Sequence, residues 1–357
     1  MKKIILTGGG TAGHIMPNLA LIPLLEKNFN LIYYLGSPDS MEENILKNYK
    51  NVKFIPIPTT KLVRKFTLKN LAIPFKLLKS ICKTKKEIKK IKPDVIFCKG
   101  GYVSVPVAIA GKMCKVPVIA HESDYSMGLA NKIILKFANK MCTSFEDTAK
   151  ISKKCVCTGS PIRQQIFKGD KSKLINVKNF DKNKPFVLFF GGSLGSKNIN
   201  NLVKDSLPEL TKNYNILHIT GKNNKISANF TNYYQTEFTN NIEDFFALSD
   251  IVVCRGGANS LFELLALQKP MLIIPLSKAE SRGDQIENAE YFKKHKWAEV
   301  LMESDLSTKN LLQKLQTLSS LDKNQTNLSY ALSGTKSNEM IVKEILNLCK
   351  KNWLFLK

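Results

Sequence analysis

No apolar run in this 357-residue sequence approaches the ~20 residues needed to cross a bilayer. The first one, Ile4-Ile5-Leu6, follows two lysines as a signal peptide would, but Gly8, Gly9 and Gly10 end it too early. The expectation is a chain that stays in the cytoplasm, with any membrane contact peripheral. Cysteine pairs of the C-x-x-C type are missing. The eight cysteines are scattered, Cys98 and Cys254 closing apolar runs, and they read as buried reduced thiols rather than a disulfide framework or zinc site. Proline is sparse at 14, and the apolar share of 43% excludes a disordered chain. There is no P-loop lysine motif and no D-x-D pair to offer a divalent ion two carboxylates, so neither metal nor cofactor is expected. Acids are scarce too. The 29 Asp and Glu face 54 Lys and Arg, a formal net charge of +25. That excess is either a lysine-coated surface or the mark of an anionic partner. Residues 61–92 hold twelve bases and one acid, Glu87, which is too uneven for a simple coat.

What is present is an alternation of short β-rich runs with longer amphipathic stretches, the pattern of an α/β chain with parallel sheets. Lys3-Ile4-Ile5-Leu6-Thr7 predicts a first strand, followed by a glycine turn and a helix over about 16–27. Strands are expected at 31–35, 52–56, 94–98, 116–120 and 140–144. The pattern pauses near Gly159-Ser160-Pro161 and a polar stretch at 168–184. It restarts with Phe186-Val187-Leu188-Phe189-Phe190, then further strands at 215–220, 250–254 and 271–275. Two Rossmann-like domains facing a cleft follow, 1–160 and 161–336, with a terminal helix in 337–357 packing back on the first.

Gly8-Gly9-Gly10-Thr11-Ala12-Gly13 satisfies G-x-G-x-x-G, the phosphate-binding turn of dinucleotide folds. The second strand should then end in an acid that holds the ribose, yet it ends Tyr34-Leu35-Gly36-Ser37. A dinucleotide oxidoreductase loses its second anchor. Gly100-Gly101, Gly191-Gly192-Ser193 and Gly256-Gly257 repeat the strand-to-turn arrangement. Each alone is an ordinary connection. Four, two in each half, predict a cleft lined by backbone N–H groups, which suits a diphosphate without a metal. Glu263, one helical turn beyond Asn259, is either a ribose ligand or an acid placed by the helix dipole.

In order along the chain, Gly8-Gly9-Gly10-Thr11-Ala12-Gly13-His14 with Pro17, Lys99-Gly100-Gly101-Tyr102-Val103-Ser104 and His121-Glu122-Ser123 are followed by Gly159-Ser160-Pro161-Ile162-Arg163. Gly191-Gly192-Ser193-Leu194-Gly195, Cys254-Arg255-Gly256-Gly257-Ala258 and Gln285 with Asn288-Ala289 complete the set. Together they resemble the MurG-type glycosyltransferases of peptidoglycan synthesis, which have the GT-B fold, over nearly the whole chain. The resemblance implies inverting transfer of N-acetylglucosamine from UDP-GlcNAc to lipid I, the undecaprenyl-diphosphate-linked muramoyl pentapeptide, giving lipid II. By matching positions it also implies Thr11, Ala12 and Gly13 at the diphosphate or sugar, Arg163 and Ser193 at phosphate, and Phe238 with Thr239 at the uracil. Ala258, Asn259, Ser260, Leu261, Phe262 and Glu263 would grip phosphate and ribose, and Gln285 the sugar hydroxyls. Asp124 stands where the family usually has Asn, as a donor- or acceptor-side contact, and Thr239 where a bulkier aliphatic is common.

Of the four histidines, His218 and His295 read as structural or solvated, and His121 as core or site. His14 closes the first turn and is either the base that takes the acceptor proton or a donor to the anionic site, with Glu122 and Asp124 next in line as base. Residues 61–92 interleave Phe66, Leu71, Ile73, Phe75, Leu77, Leu78 and Ile81 with lysines, as a patch on an anionic membrane surface would. A nucleic-acid groove would need more aromatic platforms, so no nucleic acid is expected. The remaining rivals are a GT-B enzyme with a different lipid acceptor and a UDP-GlcNAc epimerase.

Overall fold

The computed structural model describes residues 1–59, 73–192, 194–320 and 328–355, with the backbone alone over 328–335 and 350–355. The chain forms two compact units, Met1–Arg163 with Lys336–Lys357, and Gln164–Thr335. The first holds a parallel sheet of seven strands: β1 (Lys3–Thr7), β2 (Leu31–Gly36), β3 (Val52–Pro56), β4 (Val95–Cys98), β5 (Val118–Glu122), β6 (Lys140–Thr143) and β7 (Cys155–Cys157), in the order β3-β2-β1-β4-β5-β6-β7. The second holds six: β8 (Phe186–Phe190), β9 (Asn215–Ile219), β10 (Tyr233–Thr236), β11 (Ile251–Cys254), β12 (Met271–Ile273) and β13 (Glu299–Val300), in the order β10-β9-β8-β11-β12-β13.

Parallel strands are covered on both faces, which is why these runs are apolar without alternation. In β1, Ile4 and Leu6 enter the core on one face of the sheet, and Ile5 the core on the other. The first face is closed by Leu19, Ile22 and Leu25 of the helix Ala12–Glu26 and by Ile341, Val342 and Ile345 of the helix Leu328–Phe355. Each such side chain contributes about 1.5–3 kcal/mol on burial. The other face is closed by Ile81, Ile88 and Ile91 of the helix Ile73–Ile91. The C-terminal helix is also pinned by polar contacts. Asn338 accepts from the Ile162 N–H at 2.9 Å and donates to its carbonyl at 2.7 Å, and Ser337 donates to the Ser160 carbonyl.

Several elements differ from the sequence reading. The first helix begins at Ala12, not near residue 16, so Thr11 is its N-cap and His14 lies in its first turn. The helix runs through Pro17 and Pro23. β5 starts at Val118, after Pro117, and continues through His121 and Glu122, whose Nε2 and carboxylate find partners inside the unit, while His121 Nδ1 is buried without one among the described residues. Ile81, counted with the membrane-facing residues, belongs to the core instead. Phe66, Leu71 and the basic residues of 61–72 lie outside the described residues. Among the described residues no helix is long and apolar enough to cross a membrane.

Candidate active site

In each sheet the strand order reverses at one place, between β1 and β4 and between β8 and β11. Ligands of open α/β sheets sit at the carboxyl ends of the strands flanking such a reversal. All four glycine turns leave from these four strands: Gly8 after β1, Gly100 after β4, Gly191 after β8 and Gly256 after β11.

In the first unit the two turns touch. Gly101 has φ +76, and a Cβ there would lie 2.8 Å from the Gly9 carbonyl oxygen and 3.3 Å from His14 Nδ1, so no side chain fits between turn and imidazole. His14 is half-buried, with Nδ1 2.9 Å from Thr11 Oγ1. Ala12 and Gly13 open the same helix. Beneath these turns Lys99, 1% exposed, donates from Nζ to Ser123 Oγ at 2.6 Å. Burial pulls its pKa down to about 8 against the opposing pull of Glu122 and Asp124. His121 is wholly buried, 3.0 Å from the Gly159 carbonyl through Nε2, and burial followed by the Lys99 charge holds it well below the usual imidazole range. It is a neutral core group. Glu122 is also committed, accepting from the Asp124 N–H at 3.0 Å, the Gly128 N–H at 2.9 Å and Asn131 Nδ2 at 2.9 Å. It staples the loop that carries Asp124, itself half-buried. Arg163 is half-buried at the end of this unit.

In the second unit, Gly257 is the N-cap of the helix Ala258–Ala266, with no side-chain hydrogen bond capping it, and a helix start of that kind suits an anion. Leu261 and Phe262 are core residues, Phe262 packing on Phe292 with ring centroids 5.3 Å apart, so only their backbones can serve a site. Glu263 is buried, which removes a freely solvated acid from its possible readings. Gln285 Oε1 accepts from the Gly256 N–H at 3.2 Å and the Leu276 N–H at 3.1 Å, so only its amide nitrogen remains for a ligand. Phe238 is exposed, and Thr239 Oγ1 accepts from the Asn241 N–H at 3.0 Å. Ser193 lies outside the described residues. A cavity of about 480 Å³ opens here, lined by Gly192, Lys197, Arg255, Gly257, Ser260 and Gln285 among others.

One cluster was not legible beforehand. Arg255 and Glu303 form an ion pair at 2.7 Å, both about nine-tenths buried. Arg255 also donates to the Ile274 carbonyl at 3.1 Å and to Ser196 Oγ at 2.6 Å. Asn198 Nδ2 donates to Glu303 at 2.7 Å and the Ser277 N–H at 3.0 Å. Burial raises the Glu303 pKa, but the hydrogen bonds from Asn198, Arg255 and Ser277 outweigh it and hold the carboxyl below its usual range. The segments after β8, β11, β12 and β13 are thereby tied together. Glu303 is 48 residues beyond Arg255, in a short 3-10 turn with no motif to mark it. Among the described residues no group of three or more His, Cys, Asp or Glu side chains is placed to hold a metal ion.

Comparison with known proteins accords with this geometry. Residues 4–143 match the glycosyltransferase family 28 N-terminal domain and residues 186–345 the family's C-terminal domain. A UDP-N-acetylglucosamine–N-acetylmuramyl-(pentapeptide) pyrophosphoryl-undecaprenol N-acetylglucosamine transferase of Clostridium botulinum is 47% identical over 98% of this chain and 99% of its own. The crystal structure of Acinetobacter baumannii MurG superposes with a TM-score of 0.74 at 24% identity, covering 97% of this chain and 100% of that one. A UDP-GlcNAc 2-epimerase from Neisseria meningitidis shares the fold at a TM-score of 0.67, but at 14% identity over 97% of this chain and 100% of its own. The fold is therefore GT-B, and with near-half identity along its length the chain belongs to glycosyltransferase family 28 and, within it, to the MurG-type N-acetylglucosaminyltransferases.

Proposed function

We infer that this protein transfers N-acetylglucosamine from UDP-GlcNAc to undecaprenyl-diphospho-muramoyl pentapeptide, lipid I, forming lipid II of peptidoglycan synthesis. The observation that carries the reading is the 47% identity, over 98% of the chain, to a transferase named for that reaction. The uncapped helix start at Ala258 and the 480 Å³ cavity beside it suit a nucleoside diphosphate. The acceptor hydroxyl oxygen bonds to the anomeric carbon from the face opposite UDP, so the configuration inverts. The carbon–oxygen bond to UDP breaks with its electron pair, and the acceptor proton passes to His14.

In this reading Glu263 holds the ribose, Phe238 and Thr239 the uracil, Ser193 phosphate, and Gln285 a sugar hydroxyl through its amide nitrogen. Thr11, Ala12, Gly13, Asp124 and Arg163 supply the contacts of the first unit. For His14 to take a proton on Nε2, its Nδ1 must carry the hydrogen and donate it to Thr11. The protein works at the cytoplasmic face of the membrane, held peripherally on anionic lipid by the basic helix Ile73–Ile91, whose Phe75 and Leu78 are exposed, and without nucleic acid as a partner.

Release of UDP from UDP-GlcNAc, measured in excess EDTA with and without a lipid I analogue, tests this. A transferase that needs no metal releases UDP only with the acceptor and still does so in the chelator. Conversion of the donor without acceptor would instead indicate an epimerase.

A further inference from the structure

We propose that Lys197 is a catalytic residue, the cation that meets the negative charge developing on the departing diphosphate. This rests on the transferase reading. When the bond from the anomeric carbon to the terminal phosphate oxygen of UDP breaks, that oxygen takes the electron pair and UDP gains a negative charge. The acceptor proton goes to the base, and Lys197 gains and loses nothing. A divalent ion offsets this charge in many phosphate chemistries. Where no metal does so, backbone N–H groups, helix ends and side-chain cations share the task, and a cation on the cavity wall adds most to it.

Among the described residues, two cations line the 480 Å³ cavity, Arg255 and Lys197. Arg255 is already spent. It is 8% exposed and neutralised by Glu303 at 2.7 Å, and it also donates to Ile274 and Ser196. It braces loops, and turning it to a phosphate would strand Glu303. Lys197 is exposed and has no hydrogen bond or ion pair among the described residues. Glu280, which shares the wall, makes no ion pair with it.

The position of Lys197 is itself unfavourable in the absence of an anion. It is the first residue of the helix Lys197–Asn213, at the positive end of the dipole, and that helix has no acid in its first turn. Ser196 already caps the end by accepting from the Ile199 N–H at 3.3 Å. A lysine there raises the local positive potential without repaying the fold. An anion beside it reverses the sign of the interaction, so ammonium, helix end and the glycine turn at Gly191 and Gly192 act on the same phosphate.

Titration calorimetry of UDP and of uridine against wild type, Lys197→Ala and Lys197→Arg tests this together with steady-state turnover. Lys197→Ala should weaken UDP roughly ten- to hundredfold, the worth of a charge-assisted contact. Uridine, lacking phosphate, should bind as before, kcat should fall at least as far as UDP affinity, and Lys197→Arg should recover most of both. Unchanged UDP affinity and kcat in Lys197→Ala would overturn the proposal, as would equal weakening of uridine and UDP, which marks a structural role. Failure of the transferase reading shows separately, as a wild-type enzyme that binds UDP but never liberates it from UDP-GlcNAc in the presence of acceptor.

Discussion

Arg255 and Glu303 pair at 2.7 Å with side chains 9% and 10% exposed, in a cluster that joins the segments after β8, β11, β12 and β13 beside the 480 Å³ cavity. Removing one partner leaves the other charge buried alone, a loss of about 3–5 kcal/mol. Glu303→Ala should therefore lower the melting temperature and weaken UDP together, whereas Glu303→Gln, which keeps hydrogen-bonding groups, should do less of both. Because the Glu303 carboxyl is held below its usual range, its contribution is complete above that range and disappears as pH falls through the lowered value. Acid melting curves of wild type and Glu303→Gln should converge there.

Lys99 runs the other way. Its pKa falls from 10.5 to about 8 in the folded chain, so between these values the unfolded chain binds the extra proton and stability rises with pH. Below pH 8 the buried ammonium costs on the order of 3 kcal/mol, the equivalent of that shift. Lys99→Met should flatten the rise, and denaturant midpoints taken from pH 7 to 10.5 would show it. A variant whose midpoint still climbs like wild type means that another group titrates.

The Thr11–His14 contact at 2.9 Å supports a paired prediction. His14→Ala should lower kcat by roughly 10²- to 10⁴-fold, the span usual for a general base, with UDP affinity little changed and the acidic limb of the pH–rate profile flattened. Thr11→Val, which can hold neither tautomer, should give a smaller loss that Thr11→Ser restores. If His14→Ala chiefly weakens the donor while kcat holds, the imidazole is an anion contact.

Phe75 and Leu78 are 77% and 61% exposed on the basic helix, whereas Ile81 and Ile88 of the same helix are core. Phe75→Ser with Leu78→Ser should reduce sedimentation with anionic vesicles and leave melting and UDP binding intact. Ile81→Ser should do the reverse. Salt should mimic the first variant, since surface attraction is screened beyond about 10 Å at 0.1 M.

The strands at Lys3–Thr7, Val52–Pro56 and Phe186–Phe190 were legible to the residue, because apolar β-branched or aromatic runs bounded by turn residues have few other uses. The glycine turns could be read for the same reason, since strand-turn-helix is a local signal. The short edge strands Cys155–Cys157 and Glu299–Val300 were missed: their pattern is too brief, and only their neighbours make them strands. Lys99 stood in a recognised motif, but its burial depends on Ser123, and the role of Glu303 depends on Arg255. Those partners meet only in the folded chain. β5 ran past its expected end because His121 and Glu122 find internal partners that a polarity pattern cannot foresee.

The helix that returns to β1 also sets the order in which the protein can be finished on the ribosome. The strands of the first unit emerge before the second unit, but Ile341, Val342 and Ile345, which cover one face of them, are made after it. The second unit, Gln164–Thr335, is contiguous and has all its residues before then. The half born first is thus the half completed last, and until the closing helix arrives the sheet around Ile4 and Leu6 keeps an uncovered apolar flank. A chain cut short before Lys336 would carry that flank permanently and should aggregate through it, even with every glycine turn in place.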